Sequence, residues 1–373
     1  MSMQHKLELG VFIPVGNGGW ITSTTSPKLP ATYDYNKRVS LLAESMGFDF
    51  VLSMAKWRGY GGETNHWNET LESLTTMSGI AEATTRIKVW GTVHMMIFPP
   101  AVIAKMSATI DQISGGRFGL NVVSGSNPYD LSQMGLWKDL DHGQRYDLGE
   151  EWIHVLRRLW TEERVDHKGT YFELTDCMSY PKPQRPPTII CAGQSDRGFK
   201  FTVDHCDVAF FWGSDDPASI QRALRAKEIA AEAGKPEFKT NALVTLIPGA
   251  TDEEAEARLA YYNSGVDKEA LAVQAVEYSA DKSVGINQAA QNFLKQNEIK
   301  SAVLPGTMAG SPETLARRVA RLVKEGRIDA VTIIVPDFID DLETIGRQMV
   351  PLLERYGVAT DSGRLQSGGI AAG

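Results

Sequence analysis

Asn121 stands in the middle of GRFGLNVVSGSNPYD (residues 116–130), between Leu120 and Val122, in a run that otherwise reads as a buried strand. A carboxamide carries two N–H donors and an acceptor oxygen. Buried without partners, such a group costs about 1–3 kcal/mol. Asn121 is therefore a candidate for holding the polar edge of a bound molecule. Other polar and aromatic residues gather where apolar runs end. Asn17 and Trp20 follow the first run, Ala55, Lys56, Trp57 and Arg58 the second, and Thr92 and His94 the third. Ser126, Asn127 and Asp130 follow the fourth. In CAGQSDRGFK (residues 191–200), the Gly193-Gln194-Ser195 turn allows close backbone approach and ends on a good helix N-cap. Free amides at such a helix start can bind phosphate, and the same turn serves equally as an ordinary strand-to-helix connection. Arg145 and Tyr146 open an amphipathic stretch, either as further phosphate partners or as a solvated helix end.

Several chemistries lack their residues. His94, His142 and His205 fall in unrelated places, so no metal site is expected. No carboxylate pair suits glycoside chemistry. Ser53, between Leu52 and Met54, has no nucleophile-elbow context. Neither GxGxxG after a strand nor GxxxxGK[ST] occurs. What remains is a rim of glycine, methionine, aromatic and small polar residues. That rim suits a large flat aromatic ligand that brings its own reactivity. Trp20 and Trp57 either stack on a planar substrate or pack the loops. Thr92, taken alone, is an ordinary β-branched strand residue.

The elements that must position these residues alternate along the chain. Apolar runs near residues 7–15, 48–55, 86–93, 116–125, 187–193, 207–213, 239–249 and 328–336 are each followed by a helical pattern. Eight strand–helix repeats, apolar on both strand faces, predict an α/β fold: a (β/α)8 TIM barrel with insertions in the βα connections. Active sites of such barrels lie at the C-terminal strand ends, where the polar residues above fall. A single barrel domain is expected over residues 1–358, with insertions near 162–186 and 264–310 and a Gly/Ser/Ala-rich disordered tail over 359–373. The first insertion reads as a small hairpin with a proline-rich connector.

Composition narrows the partners. The chain has 373 residues, 42% of them hydrophobic, and a formal net charge of −8, which argues against nucleic acid or an anionic membrane. No run reaches the ~18 apolar residues of a membrane span, and MSMQHKLELGVFIPVG lacks a signal-peptide core. Cys177, Cys191 and Cys206 match neither a zinc site nor a disulfide framework, so a cytoplasmic location is expected.

ISGGRFGLNVVSG resembles the fourth-strand signature of the bacterial-luciferase-like flavin monooxygenases, an S-x-GR turn leading into a strand that ends in small residues. GVFIPVGNGGWITSTTSP, FDFVLSMAKWRGYGG and TIICAGQSDRG are similar to the pyrimidine-oxygenating members of that family. The resemblance runs from about residue 9 to 354. It implies a luciferase-like barrel and a two-component system. A separate NAD(P)H:flavin reductase would supply reduced FMN. The oxygenase would use O2, through a flavin peroxide or N5-oxide, to open a cyclic amide or N-heterocycle such as uracil. It also implies a homo-oligomer. By motif position, Ala55 and Lys56 would lie along the flavin ring, Asn121 at its edge, and Asp130 over it. Arg145, Tyr146 and Ser195, with Gly193 and Gln194, would hold the ribityl chain and phosphate. Thr92 and Asn121 would shape an O2 pocket near N5 as the catalytic pair. The substrate side would be Trp20, Trp57, His94, Ser126 and Asn127, and it departs from the family pattern at two of them. Ser126 stands where those members carry tryptophan, and His94 where they carry a small residue. The competing readings are a sulfone or sulfonate monooxygenase, a deazaflavin-dependent oxidoreductase, and a non-catalytic flavin-binding protein.

Overall fold

The computed structural model describes residues 6–124, 128–193, 195–278 and 286–360. Three expected site residues, Ser126, Asn127 and Gln194, lie outside the described residues, as do positions 361–373 of the expected tail.

Eight parallel strands close into a barrel. They are β1 (Lys6–Phe12), β2 (Phe50–Leu52), β3 (Lys88–His94), β4 (Phe118–Val123), β5 (Thr188–Cys191), β6 (Val208–Trp212), β7 (Lys239–Pro248) and β8 (Ala330–Ile334). Each pairs with the next, and β8 returns to β1 with Leu9 opposite Val331 and Val11 opposite Ile333. The strands are apolar throughout because one face fills the barrel and the other meets the helices: every residue of β8 is buried. The expected TIM barrel is the observed fold.

Helices follow the strands and start on good caps. Ser195, Asp216 and Ser311 each accept a backbone N–H from the first turn of their helices. Pro100 opens the helix Pro100–Ser114, where its missing N–H costs nothing. The last helical stretch is less regular than its apolar spacing suggests. A π-helical turn, Ile345–Met349, interrupts it just before Pro351, which has no N–H for the ladder.

Two connections are elaborated. The strands Val165–Lys168 and Glu173–Cys177 form an antiparallel hairpin. Glu151 of the helix His142–Thr161 anchors it, accepting N–H groups of Thr170, Tyr171 and Phe172 at 3.0, 3.0 and 2.8 Å. After β7 come the helices Asp252–Ser264, Lys268–Tyr278 and Ile286–Gln296. Ala272, Val276 and Ala290 make a small core there, against which Tyr129 from the loop beyond β4 packs. At the chain's far end Ala359 and Thr360, expected in the tail, instead pair with Lys6 and Leu7 of β1. Val358 is wholly buried and pins this extra strand to the barrel floor.

Candidate active site

The strand ends hold the first cluster. Register places Thr92 of β3 opposite Asn121 of β4. Asn121 Nδ2 donates to Thr92 Oγ1 at 3.0 Å, and the Thr92 hydroxyl donates to the carbonyl of Ser53. The Thr92 N–H in turn donates to Ser73 Oγ at 2.8 Å, and Ser73 Oγ lies 2.6 Å from Ser53 Oγ. This chain fixes the amide with its nitrogen toward Thr92. Asn121 Oδ1 is left buried with no hydrogen-bond partner among the described residues. A native buried acceptor in that condition points to a missing partner.

Both residues line a cavity of about 190 Å³ at the C-terminal mouth of the barrel. Of the expected site residues, Trp20, Ala55, Lys56, His94 and Asp130 line it too. One wall is aromatic. Phe12 and Trp20 lie 4.2 Å apart, Trp67 meets Trp20 edge-on at 5.1 Å, and β6 adds Phe210, Phe211 and Trp212. The Trp20 and Trp67 indole N–H groups donate to the carbonyls of Phe12 and Gly19. Trp57 does not line the cavity; it is half-buried, and its backbone N–H donates to Asp130 Oδ1 at 3.0 Å.

A buried ion group closes the opposite wall. Lys56 Nζ bonds both oxygens of Glu277 at 2.9 Å, lies 3.6 Å from Asp130 Oδ1, and sits 4.5 Å over the Tyr60 ring. Asp130 Oδ2 has no partner. Glu277 belongs to the helix Lys268–Tyr278, and sequence reasoning missed it. Its signal was one carboxylate in the apolar run LAVQAVEY. His94 completes the wall, with Nε2 3.3 Å from the Ala55 carbonyl and Nδ1 unpartnered. Burial lowers its pKa and keeps the ring neutral.

The second cluster adjoins the cavity through Ala192, at the end of β5. A Cβ on Gly193 would stand 2.8 Å from Gly198 Cα, so the turn abuts the helix Asp196–His205 as only glycine allows. Ser195 Oγ accepts the Gly198 N–H at 3.1 Å and also bonds the Tyr146 hydroxyl, whose pKa burial raises. Arg197 stacks its guanidinium on the Tyr146 ring at 5.4 Å. Arg145 turns toward the Leu140 carbonyl at 2.9 Å. Thus Tyr146, Gly193 and Ser195 come together at a helix N-terminus with arginines nearby, an anion-binding arrangement.

A larger cavity of about 660 Å³ lies at the other end of the barrel. Several of its charges are committed to the fold: Lys88 pairs with Glu8 at 2.8 Å, and Arg117 donates to the carbonyls of Ala81, Thr84 and Ile87. That end of a barrel carries stability rather than chemistry.

The mouth fits a flavin on its own features. It has an aromatic slot, unpartnered acceptors at Asn121 and Asp130, and beside it a glycine turn at a helix N-terminus for a phosphate. The family described as luciferase-like monooxygenase matches residues 7–329. The chain belongs to that family and is a flavin-dependent monooxygenase. Among curated proteins, it is 39% identical over 355 residues to the pyrimidine monooxygenase RutA of Methylorubrum extorquens (strain PA1), which covers 94% of each chain. It is 38% identical over 354 residues to the RutA of Enterobacter sp. (strain 638), covering 93% of this chain and 96% of the relative. Solved structures share the fold. The long-chain alkane monooxygenase LadA superposes with a TM-score of 0.78 at 21% identity, covering 98% and 97% of the two chains. Riboflavin lyase RcaE, solved with modified FMN and riboflavin, superposes with a TM-score of 0.80 at 20% identity, covering 97% and 96%. Among the described residues no helix is long and apolar enough to cross a membrane.

Proposed function

We propose that the protein is the oxygenase of a two-component system. It binds FMN reduced by a separate NAD(P)H:flavin reductase and uses O2 to oxygenate and open a cyclic amide or N-heterocycle, a pyrimidine or related ring. The observation that carries this reading is the Thr92–Asn121 pair on the cavity wall with its unpartnered oxygen. The relatives named as pyrimidine monooxygenases support the ring as substrate class. Reduced FMN, when bound, supplies the electrons that activate O2.

The protein's part is to bind, orient and exclude water. Asn121 Oδ1 accepts an N–H from the flavin edge. The hydrogen-bond chain through Thr92 and Ser53 holds that amide in one orientation, so the polar groups at the O2 pocket need not reorganise. Ala55 and Lys56 flank the ring and Asp130 closes over it. Arg145, Tyr146, Gly193, Gln194 and Ser195 take the ribityl phosphate. Trp20, His94, Ser126 and Asn127 form the substrate side, and Trp57, outside the cavity lining, holds Asp130 through its backbone N–H. The working form is a homo-oligomer.

The test is stopped-flow oxidation of the FMNH2-loaded protein, with a reductase-fed substrate screen read by product mass. Oxygenation of a cyclic amide is the expected result. Oxidation no different from free FMNH2, with no ring oxygenated, would overturn the reading. Turnover of sulfones or sulfonates would move the substrate class, and tighter binding of a deazaflavin than of FMN would move the cofactor.

A further inference from the structure

His94 and Thr92 occupy alternate positions on β3 and line the same cavity. His94 Nε2 lies 3.3 Å from the Ala55 carbonyl oxygen. A carbonyl only accepts, so Nε2 carries the proton. Burial and the nearby Lys56 disfavour a second proton, while Asp130 opposes them. The ring is then neutral with a bare lone pair on Nδ1, which is buried and has no partner. Asn121 Oδ1 and Asp130 Oδ2, on residues of the same wall, are likewise unpartnered acceptors. The cationic donor there is already engaged: Lys56 gives its ammonium to Glu277 at 2.9 Å and faces Asp130 at 3.6 Å. Among the described residues, the carboxylates of Glu277 and Asp130 both face this one ammonium. The cavity wall therefore has acceptors to spare, and a ligand satisfies it by bringing N–H donors.

We infer that His94 Nδ1 is the acceptor that selects the substrate, and that the ring it admits presents a free N–H, as a secondary cyclic amide or imide does. This rests on the proposed oxygenation of a cyclic amide or N-heterocycle. An N-alkylated ring lacks the donor. A sulfone or sulfonate offers only oxygens, which face lone pairs at this wall. His94 thus sets specificity beside the flavin-edge role proposed for Asn121, and it does so through its tautomer.

The test uses FMN-loaded protein with ¹⁵N-labelled histidine. His94 is assigned from a His94→Phe variant, and the probes are uracil, glutarimide and 2-pyridone with their N-methyl counterparts. In the ring-free holoenzyme His94 shows an unprotonated Nδ1 and a protonated Nε2. Rings with N–H move the Nδ1 resonance upfield and bind about tenfold tighter than the methylated rings, the worth of one hydrogen bond. His94→Phe, similar in volume and without an acceptor, brings the two sets together while FMN affinity stays. His94→Gln, which keeps an acceptor oxygen, restores the preference in part. A proton on Nδ1, an Nδ1 shift produced by FMN alone, or a preference that survives in His94→Phe would each overturn the inference. Rings that bind without preference would overturn it and leave the function reading standing. If no ring binds the FMN-loaded protein, the function reading fails and takes the inference with it.

Discussion

Asn121 and Thr92, the pair proposed to act at the flavin, need contribute little stability. Replacing Asn121 by alanine removes one hydrogen bond, about 1 kcal/mol, but also removes the unpartnered Oδ1, whose burial costs a similar amount. The two changes nearly cancel. Asn121→Ala is therefore expected to melt within about 2 °C of wild type while losing about a hundredfold in oxygenation, the scale of one preorganised donor or acceptor. Parallel calorimetry and product-to-peroxide ratios check this, and unchanged coupling of O2 to product would contradict the assigned role. His66 is the opposite case, a structural residue with a measurable titration. It stacks on Trp67 at 5.0 Å beneath the aromatic wall, and burial pushes its pKa down to about 4. As pH falls below the ordinary 6.5, the unfolded chain takes up the proton first. The stability from this residue is thus full above pH 6.5 and is lost as pH falls toward 4. The loss amounts to about 3 kcal/mol. Urea midpoints at pH 7 and 4.5 should diverge less in His66→Phe than in wild type; equal divergence would mean that the ring is already charged or already exposed.

The elements were legible where both faces of a strand are buried, since FGLNVV and AVTII leave no other reading. Their ends were less so. β1 stops at Phe12 instead of running to Val15, because Pro14 cannot donate to a neighbouring strand. Gly193 and Ser195 after β5 were legible, since close approach to the next helix and its N-cap are local tasks. Glu277 was not: its partner Lys56 is 221 residues away, and periodicity reports only neighbours along one element. That pair ties the helix Lys268–Tyr278 to Lys56 on the cavity wall. Both side chains are almost wholly buried, and deleting one partner of such a pair costs about 3–5 kcal/mol because the other charge is stranded. Glu277→Ala should loosen this helix first, seen as faster amide exchange over residues 268–278 with the barrel strands still protected. Replacing both members by apolar residues, as in Lys56→Met with Glu277→Leu, should cost less than the two single changes summed, with Asp130 the one charge of the group left buried. A double variant as weak as the sum of its parts would mean that the pair does not couple.

At the scale of the molecule, the hairpin insertion joins the barrel's core through Val165, while the helices after β7 carry two small apolar clusters of their own. The main apolar cluster runs from Leu7 to Val358, and one of the small clusters reaches it through Val273. We propose that the chain is one cooperative domain over residues 1–358, and this has a thermodynamic consequence. A ligand that binds only the folded state stabilises it by about 2.7 kcal/mol at a hundred times its Kd. Unfolding entropy scales with length, so for a chain this long that energy moves the midpoint by about 3–4 °C. FMN contacts are proposed from the ends of β2, β4 and β5 and from the helix His142–Thr161 together, which lie along one contiguous half of the barrel. Calorimetry should accordingly show a single transition that FMN shifts as a whole. The oxidised cofactor suffices, since the shift depends on binding and not on turnover. Two transitions, with FMN moving only one, would mean that the insertion melts apart from the barrel. The buried Lys56–Glu277 pair would then be too weak to couple the two.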